Sequence, residues 1–132
     1  MSKLIATIKN IQSVDNLNIV TFDFNNILLK MMSLDLSKDI EVGKKVSLNV
    51  KPTSVAIGKN FSGELSYSNK INSTILSIEN GQLLSSIKLS SNESIFESII
   101  TVESASRMNL KVGDKIIALI KASELSISEI LI

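Results

Sequence analysis

The chain has 132 residues, 44% of them hydrophobic, with 14 basic against 13 acidic side chains and a formal net charge of +1. That length can bury one ordinary core or two very small ones, and the charge balance argues against a protein built mainly to coat nucleic acid or anionic membrane, while leaving room for a local positive pocket. With no cysteine and no histidine, disulfides, thiolate or imidazole metal ligands, and Ser-His or Cys-His nucleophile systems are excluded.

The opening run MSKLIATIKN is interrupted by Lys9 and is too short for a signal-peptide core or a membrane span, so a cytoplasmic, soluble protein is expected. Val42-Gly43-Lys44 reads as a tight turn feeding the next strand. The run EVGKKVSLNVKPTSVAI (Glu41 to Ile57) contains the only proline, Pro52, inside strand-like sequence, which predicts an edge or a bulge there. Two glycines and several polar residues then break the apolar pattern over Gly58 to Lys70, which reads as a linker. Beyond it, TILSI, SSIKLS, SIITV and KIIALIKASELSI are short, rich in β-branched residues, alternate with a period of two and are separated by Gly, Asn and Ser. Helical spacing is weak except in TVESASRMNLK, where Ser104 is expected to cap a turn or two of helix running to Met108, with Asn109 closing it. Val112-Gly113-Asp114 reads as a second tight turn, and Lys115 to Ile127 as a long strand whose open edge has to be covered.

The chain repeats itself. At an offset of 70 and without a gap, Ile5 falls on Ile75, Leu17 on Ile87, Ile19 on Leu89, Val46 on Ile116, Val50 on Ile120 and Val55 on Leu125, and Asn10/Asn80, Gly43/Gly113, Lys45/Lys115 and Lys51/Lys121 are identical. The pattern predicts an all-β protein of two tandem, five-stranded barrels of the oligonucleotide/oligosaccharide-binding type, each with one short helix, over residues 1–60 and 66–132. Barrels of about sixty residues are marginal alone, so the two should pack together and against further copies.

In the second unit polar residues gather at three places: Ser66 to Asn69, Thr101 to Arg107, and Lys121 to Ser123. Hydroxyls, a cation and unpaired N–H groups at a helix start are the parts of an oxyanion pocket. From spacing alone they also read as a helix cap, a solvated strand lysine and turn serines. A nucleic-acid platform is the second reading, but it needs stacking aromatics, and only Phe22, Phe24, Phe61, Tyr67 and Phe96 are present. A protein-interaction module is the third. No acid/base pair stands out, so an enzyme is not expected.

ITVESASRMNLKVGDKIIALIKASELSI (Ile100 to Ile127) resembles the core of the molbindin family, also described as TOBE domains, in its Thr-x-x-Ser, short helix, Leu-x-x-Gly and Ile-Lys-Ala-Ser. The resemblance covers Ile75 to Ile127 strongly and residues 1–59 weakly. It implies cytoplasmic binding and storage of molybdate or tungstate as an oxyanion, with no bare metal ion, nucleic acid or membrane as partner, and, since the family's two-domain members form trimers, a homo-oligomer expected to be a trimer of six barrels. Carried over by position, it implies Thr101 and Ser104 as hydroxyl donors, Lys121 as the cation and the N–H of Ala122, beside Ser123. A Ser-Ala-Arg-Asn segment from a neighbouring domain is matched by Ser66, Tyr67, Ser68 and Asn69; Ser68 replaces the arginine, and Arg107 is the candidate to compensate. In the first unit Met31 and Leu34 fall at the Thr101 and Ser104 positions at the same offset, and Pro52, which lacks an N–H, falls at Ala122. Only Lys51 is retained, so the first unit is expected to carry a degenerate site.

Overall fold

The computed structural model describes residues 2–131. Its elements are β1 (Ser2–Val14), β2 (Leu17–Phe24), β3 (Ile27–Leu34), β4 (Lys45–Val50), a 3-10 turn (Pro52–Ser54) and β5 (Ala56–Gly58), then β6 (Asn69–Asn80), β7 (Leu84–Ser91), β8 (Ser94–Thr101), α1 (Val102–Arg107), β9 (Lys115–Ile120), a second 3-10 turn (Ala122–Glu124) and β10 (Ser126–Leu131). Alternation builds the strands: along β4 the side chains of Val46, Leu48 and Val50 are buried, as a period of two requires. The β2–β3 hairpin turns on Asn25 (φ 50) and Asn26 (φ 69), two successive left-handed residues of the kind that match strand twist and that asparagine tolerates best after glycine.

The two sheets have five strands each, in the orders β10-β4-β1-β2-β3 and β5-β9-β6-β7-β8. The fifth strands are therefore exchanged. β5, from the first half of the chain, pairs with β9 from Ala56↔Leu119 to Gly58↔Ile117, and β10, from the second half, pairs with β4 from Ser126↔Asn49 to Leu131↔Lys45. Segments 1–60 and 66–132 thus each give four strands to their own sheet and lend the fifth to the other. One continuous apolar core runs through both, from Leu4, Phe22 and Leu48 to Ile71, Leu89 and Ile120.

Polar ties reinforce the exchange. Asn69, with 0% exposure, accepts from the Lys30 N–H at 2.6 Å and donates to the Lys30 C=O at 3.0 Å, holding β6 to the free edge of β3. Buried Ser98 donates to the Val55 C=O at 2.6 Å, and Ser54 donates to Glu124 at 3.1 Å, joining the two 3-10 turns.

The gapless repeat is corrected by the strand register. Across the first three strands of each unit the equivalent residues lie 67 apart: Ala6 pairs with Val46 as Ser73 pairs with Ile116, and Leu17 pairs with Leu34 as Leu84 pairs with Thr101. An offset of 70 holds only from the Gly43 and Gly113 turns onward, where each glycine N–H donates at 2.8 Å to the same bulged point of the first strand, Ile8 or Ile75. The two offsets differ by an odd number, so the wrong one assigns side chains to the opposite face of a strand. Ile5 is 45% exposed while Ile75 is 1% exposed; Ile8, also 1% exposed, is the true counterpart.

The three extra residues of the second unit lie between Thr101 and Gly113, the stretch that forms its helix. The expected helix is present only in the second unit. In the first, β3 ends at Leu34 and the shorter segment to Gly43 forms bends and turns starting at Asp35, whose φ is 54. Leu34, the structural counterpart of Thr101, has no side-chain oxygen to cap a helix.

Two further expectations are corrected. Pro52 is not inside a strand: it opens a 3-10 turn after Lys51 (φ −70, ψ 135), a position where a missing N–H costs no helical bond. Lys115 to Ile127 is not one strand, because the equivalent turn at Ala122–Glu124 breaks it and sends β10 to the other sheet.

Candidate oxyanion site

The helix start is organised by Thr101, not by Ser104 as expected. Thr101 is the N-cap, and its Oγ1 accepts from the Ser104 N–H at 3.1 Å. The two hydroxyls also share one hydrogen bond of 3.0 Å. A pair of hydroxyls has two protons, and one shared bond uses one of them. The second proton is left to donate outward, as an acceptor-only oxyanion requires.

Arg107, on the last turn of α1, donates to Glu103 and to the Ser104 Oγ, each at 3.0 Å. Its guanidinium is thus turned back along the helix surface, part of its charge answered by Glu103. Among the described residues Lys121 joins no ion pair. It precedes the second 3-10 turn with φ −69 and ψ 147, and that turn is closed by the Glu124 N–H to the Lys121 C=O at 2.9 Å. The first N–H of such a turn, here that of Ala122, has no acceptor inside it.

Lys121 and Tyr67 line one groove of about 380 Å³ together with Thr53, Ser54, Ala56, Ile99, Ile100 and Glu124. The groove exists because of the strand exchange: the turn before β5 lies against β8, bringing Thr53 and Ser54 into one groove with a lysine 68 and 67 residues further along the chain. Thr101 follows Ile100 in the chain, but neither Thr101 nor Ser104 lines this groove. Ser123 faces elsewhere, into a second groove of about 350 Å³ with Met31, Met32, Leu36, Ile40 and Leu125. Ser66 and Ser68 lie exposed in the connecting segment. Asn69, the last residue of the matched segment, spends its amide on the Lys30 backbone.

One side chain that sequence reasoning missed holds the far end of α1. Lys59, one residue beyond β5, donates through Nζ to the C=O of Met108 at 3.1 Å and of Asn109 at 2.9 Å, and pairs with Asp114 at 3.1 Å. Asp114 also accepts from the Lys111 N–H at 2.9 Å. That backbone bond first, and the Lys59 ammonium second, hold its carboxyl below the usual aspartate value. Lys59 sits in the linker and nothing local flags it. The only trace is in the repeat, where Glu129 stands opposite Lys59 and Lys44 opposite Asp114, a reversed pair of charges.

Residues 65–127 match the TOBE domain family. That span is the second unit from Leu65 to Ile127, and it contains Thr101, Ser104, Lys121 and Ala122. The TOBE match ends before most of β10 and leaves out β5, the strand on loan from the first unit. No curated protein sequence matches the chain. Among solved structures, the chain is similar to the cytoplasmic molybdate-binding protein ModG in a form with molybdate bound, with a TM-score of 0.89 and 24% identity over 95% of this chain and 93% of that one. At that identity the likeness is one of fold, and it spans both units. A molybdate-binding protein from Sporomusa ovata is 28% identical, with a TM-score of 0.50, over 51% of this chain and all of its own.

Of the aromatic residues, Phe22, Phe24 and Phe96 are buried, Tyr67 is half-buried and Phe61 is exposed. Among the described residues no group of three or more carboxylates could hold a bare metal ion, and no helix is long and apolar enough to cross a membrane.

Proposed function

We propose that the protein binds and stores molybdate or tungstate in the cytoplasm, without catalysing a reaction, and that the anion is held by the TOBE unit. The observation that carries this reading is the set of donors that unit offers: at the start of α1 a hydroxyl pair with one proton left to donate outward, and at the second 3-10 turn a lysine without an ion-pair partner among the described residues and a first N–H with no acceptor inside the turn. A tetrahedral dianion accepts from all of these, and neutral donors satisfy it without a full set of opposite charges. Tyr67, Ser66 and Ser68, with Arg107 and Ser123, are the flanking candidates.

On this reading the site is completed by Ser66 and Ser68 of a second copy, both exposed in this chain, in a homotrimer of six barrels. Exposed Leu28, Leu83, Ile95 and Val112 provide apolar surface for such contacts. Calorimetric titration with molybdate, tungstate and sulfate in parallel tests the reading: heat and thermal stabilisation with the first two are expected, and neither effect with either anion would overturn it. Native mass spectrometry should give a trimer; a monomer at micromolar concentration would overturn the shared site.

A further inference from the structure

The helix that presents Thr101 and Ser104 has only six residues, Val102–Arg107, too few to hold its own geometry. Its start is fixed by the Thr101 cap. Its end is fixed from outside the second unit, by Lys59, whose three ammonium protons meet three acceptors: the Met108 and Asn109 carbonyls and the Asp114 carboxylate. Asn109 has a φ of 51, the left-handed residue that ends the helix, so the clip closes on the residues where the chain reverses. Asp114 in turn anchors the Lys111 N–H in the loop leading to β9, the strand that ends one residue before Lys121.

The first unit lacks all of this together. Opposite Lys59 and Asp114 stand Glu129 and Lys44; Glu129 instead faces Lys3 at 4.0 Å, and there is no helix to hold. The clip is present where the hydroxyl donors are present.

We propose that Lys59, carried across on the exchanged strand, is a positioning residue for the anion site: it sets the angle of α1 relative to β9 and so the separation between the Thr101–Ser104 hydroxyls and Lys121. The inference rests on the oxyanion reading of that site. It makes the strand exchange part of the binding function, since the first half of the chain supplies no required donor there and yet fixes the donors of the second.

The test compares molybdate and tungstate affinity in the full-length wild type, Lys59→Met, Lys59→Arg and Asn18→Ala. Lys59→Met keeps the aliphatic stem and removes the three hydrogen bonds. Asn18→Ala breaks a cross-strand pair with Ser13 in the first unit and serves as a control for general loss of stability, with melting temperature measured for each variant. The expected result is a Kd raised about tenfold by Lys59→Met, equivalent to one anion hydrogen bond lost, with Lys59→Arg recovering most of it and Asn18→Ala leaving Kd unchanged. Amide hydrogen exchange at Met108 and Asn109 should quicken in Lys59→Met alone. Wild-type binding with an unchanged Kd in Lys59→Met overturns the positioning role and leaves the oxyanion reading standing. An equal loss in Asn18→Ala also overturns it, because the effect is then one of stability. Failure of the wild type to bind either anion overturns both.

Discussion

Asn69→Ala probes the joint between the two units. The Asn69 side chain is fully buried and treats the Lys30 peptide as a neighbouring strand would, accepting at 2.6 Å and donating at 3.0 Å. β3 is the outer strand of its sheet, so the Lys30 N–H and C=O have no ladder partner on that side. Truncation removes two hydrogen bonds worth about 0.5 to 1.5 kcal/mol each and leaves two backbone groups short of a partner, for a total cost of about 2 to 4 kcal/mol. That is a large share of the roughly 5 to 15 kcal/mol that stabilises a domain. Urea denaturation is the assay, and the midpoint should fall at constant slope. Asn69→Asp should be no better, because a carboxylate cannot donate to the Lys30 C=O. Ser54→Ala, which removes an exposed bond to Glu124, should cost under about 0.5 kcal/mol. A loss for Asn69→Ala as small as that would mean water replaces the amide freely and that this contact does not hold the units together.

Lys121→Ala should weaken anion binding by roughly ten- to a hundredfold, the worth of a charge-assisted hydrogen bond, while Lys51→Ala should change it little; equal losses in titration would show that both units bind. Ala122→Pro should fold normally, because Lys121 already has the extended backbone that a following proline requires and Pro52 occupies the same turn in the first unit. Its affinity should nevertheless fall for want of the N–H, and a circular dichroism spectrum that collapses would refute the equivalence of the two turns. Acid should loosen the α1–β9 loop. The lowered Asp114 value means that its contribution is present above the unfolded aspartate value and is lost as pH falls through the folded one. The stability gap between wild type and Asp114→Asn, measured by thermal melts, should therefore be full at pH 7 and close in strong acid; a gap independent of pH would assign the effect to the Asn substitution itself.

Short-range chemistry was legible in the sequence. Period-two runs gave the strands, glycine and asparagine gave the turns, and Ser104 as a cap placed the one helix start three residues late, because Thr101 caps as well as a serine does. The cluster of hydroxyls was visible for the same reason, as a few adjacent residues, but the turn at Ala122–Glu124 was not: Lys115 to Ile127 reads as one strand because β-branched and apolar residues continue on both sides of it. The register of the repeat was not legible. In strands as rich in isoleucine and leucine as these, apolar residues stand on both faces, and an offset wrong by three still aligns one apolar residue with another.

Only the tertiary structure decided which sheet each fifth strand joins. Alternation records which face of a strand is buried but says nothing about its hydrogen-bonding neighbour, and β5 and β10 present the same pattern to either sheet. That choice brought the turn before β5 against β8, placed Tyr67 and Lys121 in one groove with Thr53, and delivered Lys59 to the end of α1. Contacts between residues fifty to seventy positions apart depend on where the whole chain closes, which no local run of residues specifies.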